Sequence, residues 1–151
     1  MITLFDNKGT NELWDGRRLV ATTNAPHLIR FAEKVNSEHL QPAVLMCGLG
    51  LGVFPAHLKP GALIDTIESN RGVVAFNLPP IGNVFIGDAF APDFTKLRPY
   101  YDVILFDVFD IATRSQSHLN TMHQLKCMYQ HLCPVDGVWG YVPGADSVVM
   151  I

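Results

Sequence analysis

Charge is scarce in this 151-residue chain: Asp, Glu, Lys and Arg together make up only 17% of it, and the formal net charge is −3. With 48% apolar residues beside so little charge, the chain should fold around a real core rather than stay disordered. Basic residues are the shorter supply, 11 Lys and Arg against 14 Asp and Glu, which argues against a general binder of nucleic-acid backbones. Long hydrophobic runs are missing, and none approaches the ~20 uncharged residues of a membrane span. A secretory signal would need a basic start and an unbroken apolar run, whereas Asp6 and Lys8 stand close behind Met1. Cysteine is sparse as well. Cys47, Cys127 and Cys133 contain no CxxC pair and leave one thiol over under any bridging, which fits a reduced cytosol. Histidines are present but scattered: His27 would suggest a metal ligand only with a partner four residues on, and position 31 is Phe. The expectation is a cytoplasmic protein with no metal, no nucleic-acid partner and no membrane partner.

What the sequence does concentrate is glycine, in one stretch. Ala43-Val44-Leu45-Met46-Cys47 is an apolar run of strand length, and it breaks into Gly48, Gly50 and Gly52 before Val53-Phe54 resumes. A run of this kind suits a buried parallel strand better than a surface element. The glycines let the backbone turn sharply and let a ligand come close, because no Cβ stands in the way. A helix beginning near Val53 would point its free N–H groups at whatever lies over the loop. That is the ligand-facing turn of a doubly wound α/β fold, although a purely structural turn would read the same way.

The rest of the chain supplies the sheet. Residues 1–24 alternate short apolar pieces with turn residues, and Asp15-Gly16 between two such pieces signals a hairpin, so a small β ribbon is predicted there. Residues 25–151 read as one unit. A helix opens at Asn24-Ala25-Pro26, presents Leu28, Ile29, Phe31, Ala32 and Val35 on one face, and stops near Asn36-Ser37. After the glycine turn comes a short helix from Val53 to Leu58, ended by Lys59-Pro60-Gly61. Strands follow over Ala62–Glu68, Asn83–Ile86, Tyr101–Phe106 and Val138–Val142, with helices over Arg71–Asn77 and Leu119–Leu132. Strands alternating with helices imply a mainly parallel, doubly wound sheet of about five strands, Rossmann-like, with the ribbon at its N-terminal side.

In such sheets ligands bind outside the carboxyl ends of the strands. Four features fall there: the glycine turn, Glu68, Asp88, and the pair Asp107 and Asp110. Glu68 lies twenty residues beyond Gly48, where an acid can accept hydrogen bonds from both hydroxyls of a ribose. Read blandly, it is a solvated loop carboxylate. Asp88, in Gly87-Asp88-Ala89, can accept from the exocyclic amine of a purine or serve as a helix N-cap, and the two roles are compatible. Asp107 can attract and deprotonate an amine, and Asp110 three residues on would raise its proton affinity by like-charge repulsion. The bland alternative is a capping Asp107 and a solvated Asp110.

Val44 to Gly52, then Ile67-Glu68, Gly87-Asp88-Ala89 and Tyr101 to Asp110 with its D-x-x-D, resemble the class I S-adenosylmethionine-dependent methyltransferase superfamily, and within it the spermidine synthase-like aminopropyltransferase branch. The resemblance covers roughly residues 40–142, with a weaker echo in Leu13-Trp14-Asp15-Gly16. It implies a transferase using S-adenosylmethionine or its decarboxylated form, acting on an amine or polyamine. It implies that Gly48, Leu49, Gly50 and Gly52 hold the amino-acid or aminopropyl end, Glu68 with Ser69 the ribose, and Asp88 with Ala89 the adenine. Asp107 would border the cofactor and deprotonate the acceptor, with Asp110 positioning it. The sequence departs from that branch at Leu19, where a glutamine is usual, at Asn24-Ala25, where an Asp-Glu pair is usual, and at Ile111-Ala112, where Pro and Gly are usual. The final antiparallel strand pair of the superfamily has no counterpart. Two other functions therefore stay open, a small-molecule methyltransferase and a non-catalytic remnant kept for binding or assembly.

That early end carries one more expectation. Val138–Val142 would be an uncovered apolar edge, and Ser147-Val148-Val149-Met150-Ile151 is a second β-prone piece beside it. Such edges pair with other chains. A homo-oligomer through residues 138–151 is expected, unless the tail folds back over its own edge.

Overall fold

The computed structural model describes residues 1–108, 117–134, 136–143 and 147–151, with side chains in the long helix from residue 120 onward. Three antiparallel strands form the ribbon: β1 (Ile2–Asn7), β2 (Thr10–Asp15) and β3 (Arg18–Thr22). Its first turn places Lys8 and Gly9 at positive φ, the twist that two-residue hairpins require. Leu13 and Ala21 are buried, and they share a small core with Leu49 of the glycine turn and Val73 beyond it. The ribbon therefore rests on the loop that the strand pattern marks for a ligand.

Helix α1 (Pro26–Glu38) has proline in its first turn and buries Leu28, Phe31, Ala32 and Val35, as the spacing predicts. Strand β4 (Ala43–Cys47) is buried throughout. Then follow α2 (Val53–Ala56), β5 (Leu63–Glu68), α3 (Arg71–Phe76), β6 (Asn83–Ile86), β7 (Val103–Phe106), α4 (Ser117–Tyr129), β8 (Val138–Tyr141) and β9 (Val149–Met150). Helix α2 is even shorter than predicted: it closes at Ala56 rather than Leu58, because Pro55 allows only one turn before Pro60-Gly61 intervene. Helix α4 tightens into a 3-10 turn over Gln130–Leu132.

The main sheet runs β6-β5-β4-β7-β8-β9. The first five are parallel, so the chain steps outward from β4 to one edge and then crosses β4 to build the other side. Side chains of β4 alternate between two cores, as strand geometry demands. Val44 and Met46 pack with α1 and α2, while Leu45 and Cys47 pack with α4. Helices thus cover both faces.

The sheet has six strands where about five were expected, because β9 adds antiparallel to β8 with Gly140 opposite Met150 and Tyr141 opposite Val149. The Ile151 N–H continues the ladder to the Trp139 carbonyl at 3.1 Å. The tail thus folds back over Trp139–Tyr141 of its own edge, the alternative to pairing that stretch with a second subunit. Among the described residues the outer strands of the sheet are β6 and the two-residue β9.

Candidate functional site

A cleft of about 290 Å³ opens over the carboxyl ends of β4, β5, β6 and β7. Its floor is the main sheet, and its far wall is the ribbon together with the start of α1. This is where the strand order reverses around β4, the crevice in which doubly wound sheets bind ligands.

The glycine turn is built by backbone constraints. Gly48 N–H donates to the Ile67 carbonyl at 2.8 Å, and Asp107 N–H donates to the Cys47 carbonyl at 2.8 Å, so both parallel ladders extend one residue past β4. Gly48 has φ +94, and a Cβ there would fall inside the carbonyl of Asp107. Only glycine allows β4 and β7 to end side by side. Gly50 and Gly52 also have positive φ, and Gly52 caps α2.

Glu68 fastens this turn. It is only 8% exposed. Its Oε1 accepts the Leu49 N–H at 2.9 Å, and its Oε2 accepts the Asn70 N–H at 2.8 Å. Hydrogen bonds to a charged acceptor are worth roughly 1.5–3 kcal/mol each, so the carboxylate ties β5 to the glycine turn before any ligand arrives. A carboxylate has about four acceptor sites, and two remain for hydroxyl groups at the cleft surface. The solvated-loop reading of Glu68 does not hold, because the side chain is buried and doubly bonded. Ser69, beside it, is exposed on the cleft wall.

Asp88 follows β6, and its Oδ1 accepts the Phe90 N–H at 2.9 Å in a local turn. No helix follows for it to cap; the N-cap reading becomes a turn that leaves one carboxylate oxygen for other partners. Ala89 is buried beside it, and both line the cleft. Asp107 is partly buried at the end of β7 and also lines the cleft. Burial, and secondarily the negative charge of Glu68, push its carboxyl up to about 7. The sequence pattern assigned that push to Asp110, which lies outside the described residues. The described neighbour responsible is Glu68, brought close by the fold.

The structure therefore gathers Gly48, Leu49, Gly50, Glu68, Ser69, Asp88, Ala89 and Asp107 around one cleft, with Gly52 just behind it as the α2 cap. Sequence reasoning missed several contributors. Asn70 caps α3, its side chain accepting from the Gly72 and Val73 N–H groups, and an Asn immediately before a mostly apolar helix was a legible signal. Asn77 donates to the Gly50 carbonyl at 2.8 Å and to the Val73 carbonyl at 2.7 Å, bracing the turn from the end of α3. Nothing local in the sequence marks that contact. His27, passed over as scattered, is buried in the first turn of α1 and lines the cleft.

No family model matches the chain, and no curated protein matches it. Solved structures do share its fold. The S-adenosylmethionine-bound amino pentose methyltransferase CalS10 from Micromonospora echinaspora superposes with a TM-score of 0.54 at 20% identity, over 79% of this chain and 50% of that one. The CcbJ methyltransferase from Streptomyces caelestis gives 0.55 at 17% identity, over 77% and 48%. An RNA methyltransferase from Salinibacter ruber, solved with S-adenosyl-L-homocysteine, gives 0.52 at 12% identity, over 76% and 72%. The chain spans about half the length of the first solved structures it matches. At these identities the likeness shows the fold alone, a Rossmann-like α/β fold that this chain shares with S-adenosylmethionine-dependent methyltransferases. These neighbours do not single out the spermidine synthase-like branch. They also include a nucleic-acid enzyme, so the fold does not decide what the acceptor is. Among the described residues no helix is long and apolar enough to cross a membrane.

Proposed function

We propose that the cleft binds an S-adenosyl nucleoside and that the chain is a methyltransferase domain acting on a small molecule. The observation that carries this reading is the convergence of the glycine turn, Glu68, Asp88 and Asp107 from four adjacent strand ends on one cleft. The residues present suit such a ligand. Glu68 keeps acceptor capacity for ribose hydroxyls, Asp88 offers an acceptor to a purine amine, and the Gly48–Gly52 turn presents backbone with no side chains in the way. When bound, the donor supplies a methyl group on a positively charged sulfur. Asp107 takes the proton of the incoming nucleophile, and a carboxyl that releases its proton near 7 is well matched to that task at neutral pH. Asp110 is proposed to help position the acceptor. The low share of basic residues favours a small-molecule acceptor over nucleic acid.

One observation supports aminopropyl transfer as a second reading. The cleft carries four acids, Asp15, Glu68, Asp88 and Asp107, against the single strong base Arg18 among its described residues. That balance suits a cationic donor lacking a carboxylate, and an amine acceptor. Calorimetric titration separates the readings. S-adenosylmethionine and S-adenosylhomocysteine should bind in preference to decarboxylated S-adenosylmethionine and methylthioadenosine. The reverse preference selects aminopropyl transfer, and failure of all four removes the adenosyl assignment.

A further inference from the structure

Beneath the cleft, on the α4 side of the sheet, one buried side chain touches three of its walls at once. Tyr129 is fully buried near the end of α4. Its hydroxyl donates to the Ala89 carbonyl at 2.7 Å. Cys47 packs in the same buried core cluster as the tyrosine ring. That ring meets Phe106 edge-on, with centroids 5.4 Å apart and planes at 63°. Each contact sits one residue from a cleft feature: Cys47 precedes Gly48, Phe106 precedes Asp107, and Ala89 follows Asp88.

The bond to Ala89 matters most, because little else fixes that turn. Asp88 and Phe90 are exposed, and Asp88 bonds only to backbone within its own turn among the described residues. Among those residues, the hydrogen bonds from 87–91 to the rest of the fold are Gly87 N–H to the Glu68 carbonyl at 3.0 Å and the one from Tyr129. Loss of the hydroxyl would leave the Ala89 carbonyl buried and unpaired, and the turn would move to recover a partner. Protonation does not interrupt this arrangement. Burial pushes the Cys47 thiol up to about 12 and raises Tyr129 as well, so both keep their protons at working pH. The tyrosine's single proton goes to Ala89.

We infer that Tyr129 is a positioning residue for the purine end of the ligand: its hydroxyl sets the height of the 87–91 turn above the sheet, and so places Asp88 to accept from the purine amine. This rests on the adenosyl reading of the cleft. Tyr129 does not itself reach the cleft and acts only through Ala89.

The test compares S-adenosylhomocysteine with S-inosylhomocysteine, which carries an oxygen where adenine has its amine. Tyr129→Phe keeps the ring and removes one hydrogen bond, and it should weaken S-adenosylhomocysteine binding by about tenfold, the size of one such bond. Binding of the inosine ligand should change far less. In a double-mutant cycle, Tyr129→Phe and Asp88→Ala should be non-additive, with the pair losing little more than Asp88→Ala alone. Equal losses for the two ligands, or additive losses in the cycle, would make Tyr129 a general packing residue and overturn the inference. Unchanged affinity in Tyr129→Phe would overturn it too while leaving the adenosyl reading intact. No binding by the wild type would remove that reading and this inference together. Should Tyr129→Phe not fold, Tyr129→Met decides, since it also removes the hydroxyl while its flexible side chain fills the space. It should show the same selectivity between the two ligands, and equal losses there count against the proposal.

Discussion

Replacing Asp107 by asparagine should stabilise the unliganded protein while abolishing transfer. The carboxyl moves from an ordinary value of 3.8 to about 7 on folding, by burial first and by the Glu68 charge second. At 1.36 kcal/mol for each tenfold change in proton affinity, that gap is worth about 4 kcal/mol at most. Asp107 is only partly buried, and water in the cleft screens it, so about 1–2 kcal/mol is the expected size. The sign follows from proton counting. Between pH 4 and 7 the unfolded chain has released this proton and the folded chain still holds it, so folding takes up a proton and rising pH opposes it. The wild type should therefore lose stability relative to Asp107→Asn as pH climbs through that window, and the difference should level off above 7. Urea unfolding of both proteins at pH 5, 6, 7 and 8 measures it directly. Affinity for S-adenosylhomocysteine should be nearly unchanged in the variant, while wild-type turnover should rise with pH through about 7 as the base form appears. A stability difference that is flat with pH, or that grows toward acid, would refute the buried-carboxyl argument.

Three further outcomes are expected. Glu68→Ala should weaken adenosyl-ligand binding by about 1.5–3 kcal/mol, read by calorimetry; unchanged affinity in a folded variant removes the ribose assignment. Gly48→Ala should cost about 3 kcal/mol or more from positive φ and overpacking against the Asp107 carbonyl, whereas Gly50→Ala, whose Cβ would stand 3.2 Å from that of Ala21, should cost about 1 kcal/mol. Thermal unfolding ranks the two, and equal losses would contradict the close β4–β7 approach. Deleting residues 147–151 strips the β9 pairing from β8, so it should lower the unfolding temperature and promote association; light scattering that shows the intact protein as a dimer, and the deletion as a monomer, would restore the tail as a subunit contact.

The order of strands and helices was legible because each parallel strand is a short, mostly apolar run followed by turn residues, and the site was legible because parallel sheets put ligands where those runs stop. Gly48, Glu68, Asp88 and Asp107 could each be placed by counting to the end of a strand. The tail was harder. Ser147–Ile151 has strand composition in the sequence, but composition does not say whose edge it pairs with, and the register of Gly140 opposite Met150 exists only once β8 is in place.

The charge state of Asp107 illustrates the harder limit. In sequence its nearest acid is Asp110, three residues away, and proximity along the chain suggested that pair. In space the described acid that raises it is Glu68, thirty-nine residues earlier, because β5 and β7 flank β4 and end at the same height. The braces of the site obey the same rule: Asn77 reaches Gly50 across 27 positions, and Tyr129 reaches Ala89 across 40. A motif at a strand end can be read locally, because the strand itself carries it to the cleft. What tunes that motif arrives from other strands and helices, through side chains whose own neighbourhoods in sequence look like ordinary core or ordinary caps. Tyr129 falls within the helix predicted over Leu119–Leu132, and its ring fills a core position there. Its hydroxyl is a second property of the same residue, and only the packing of α4 under β4 and the 87–91 turn gives that hydroxyl something to hold.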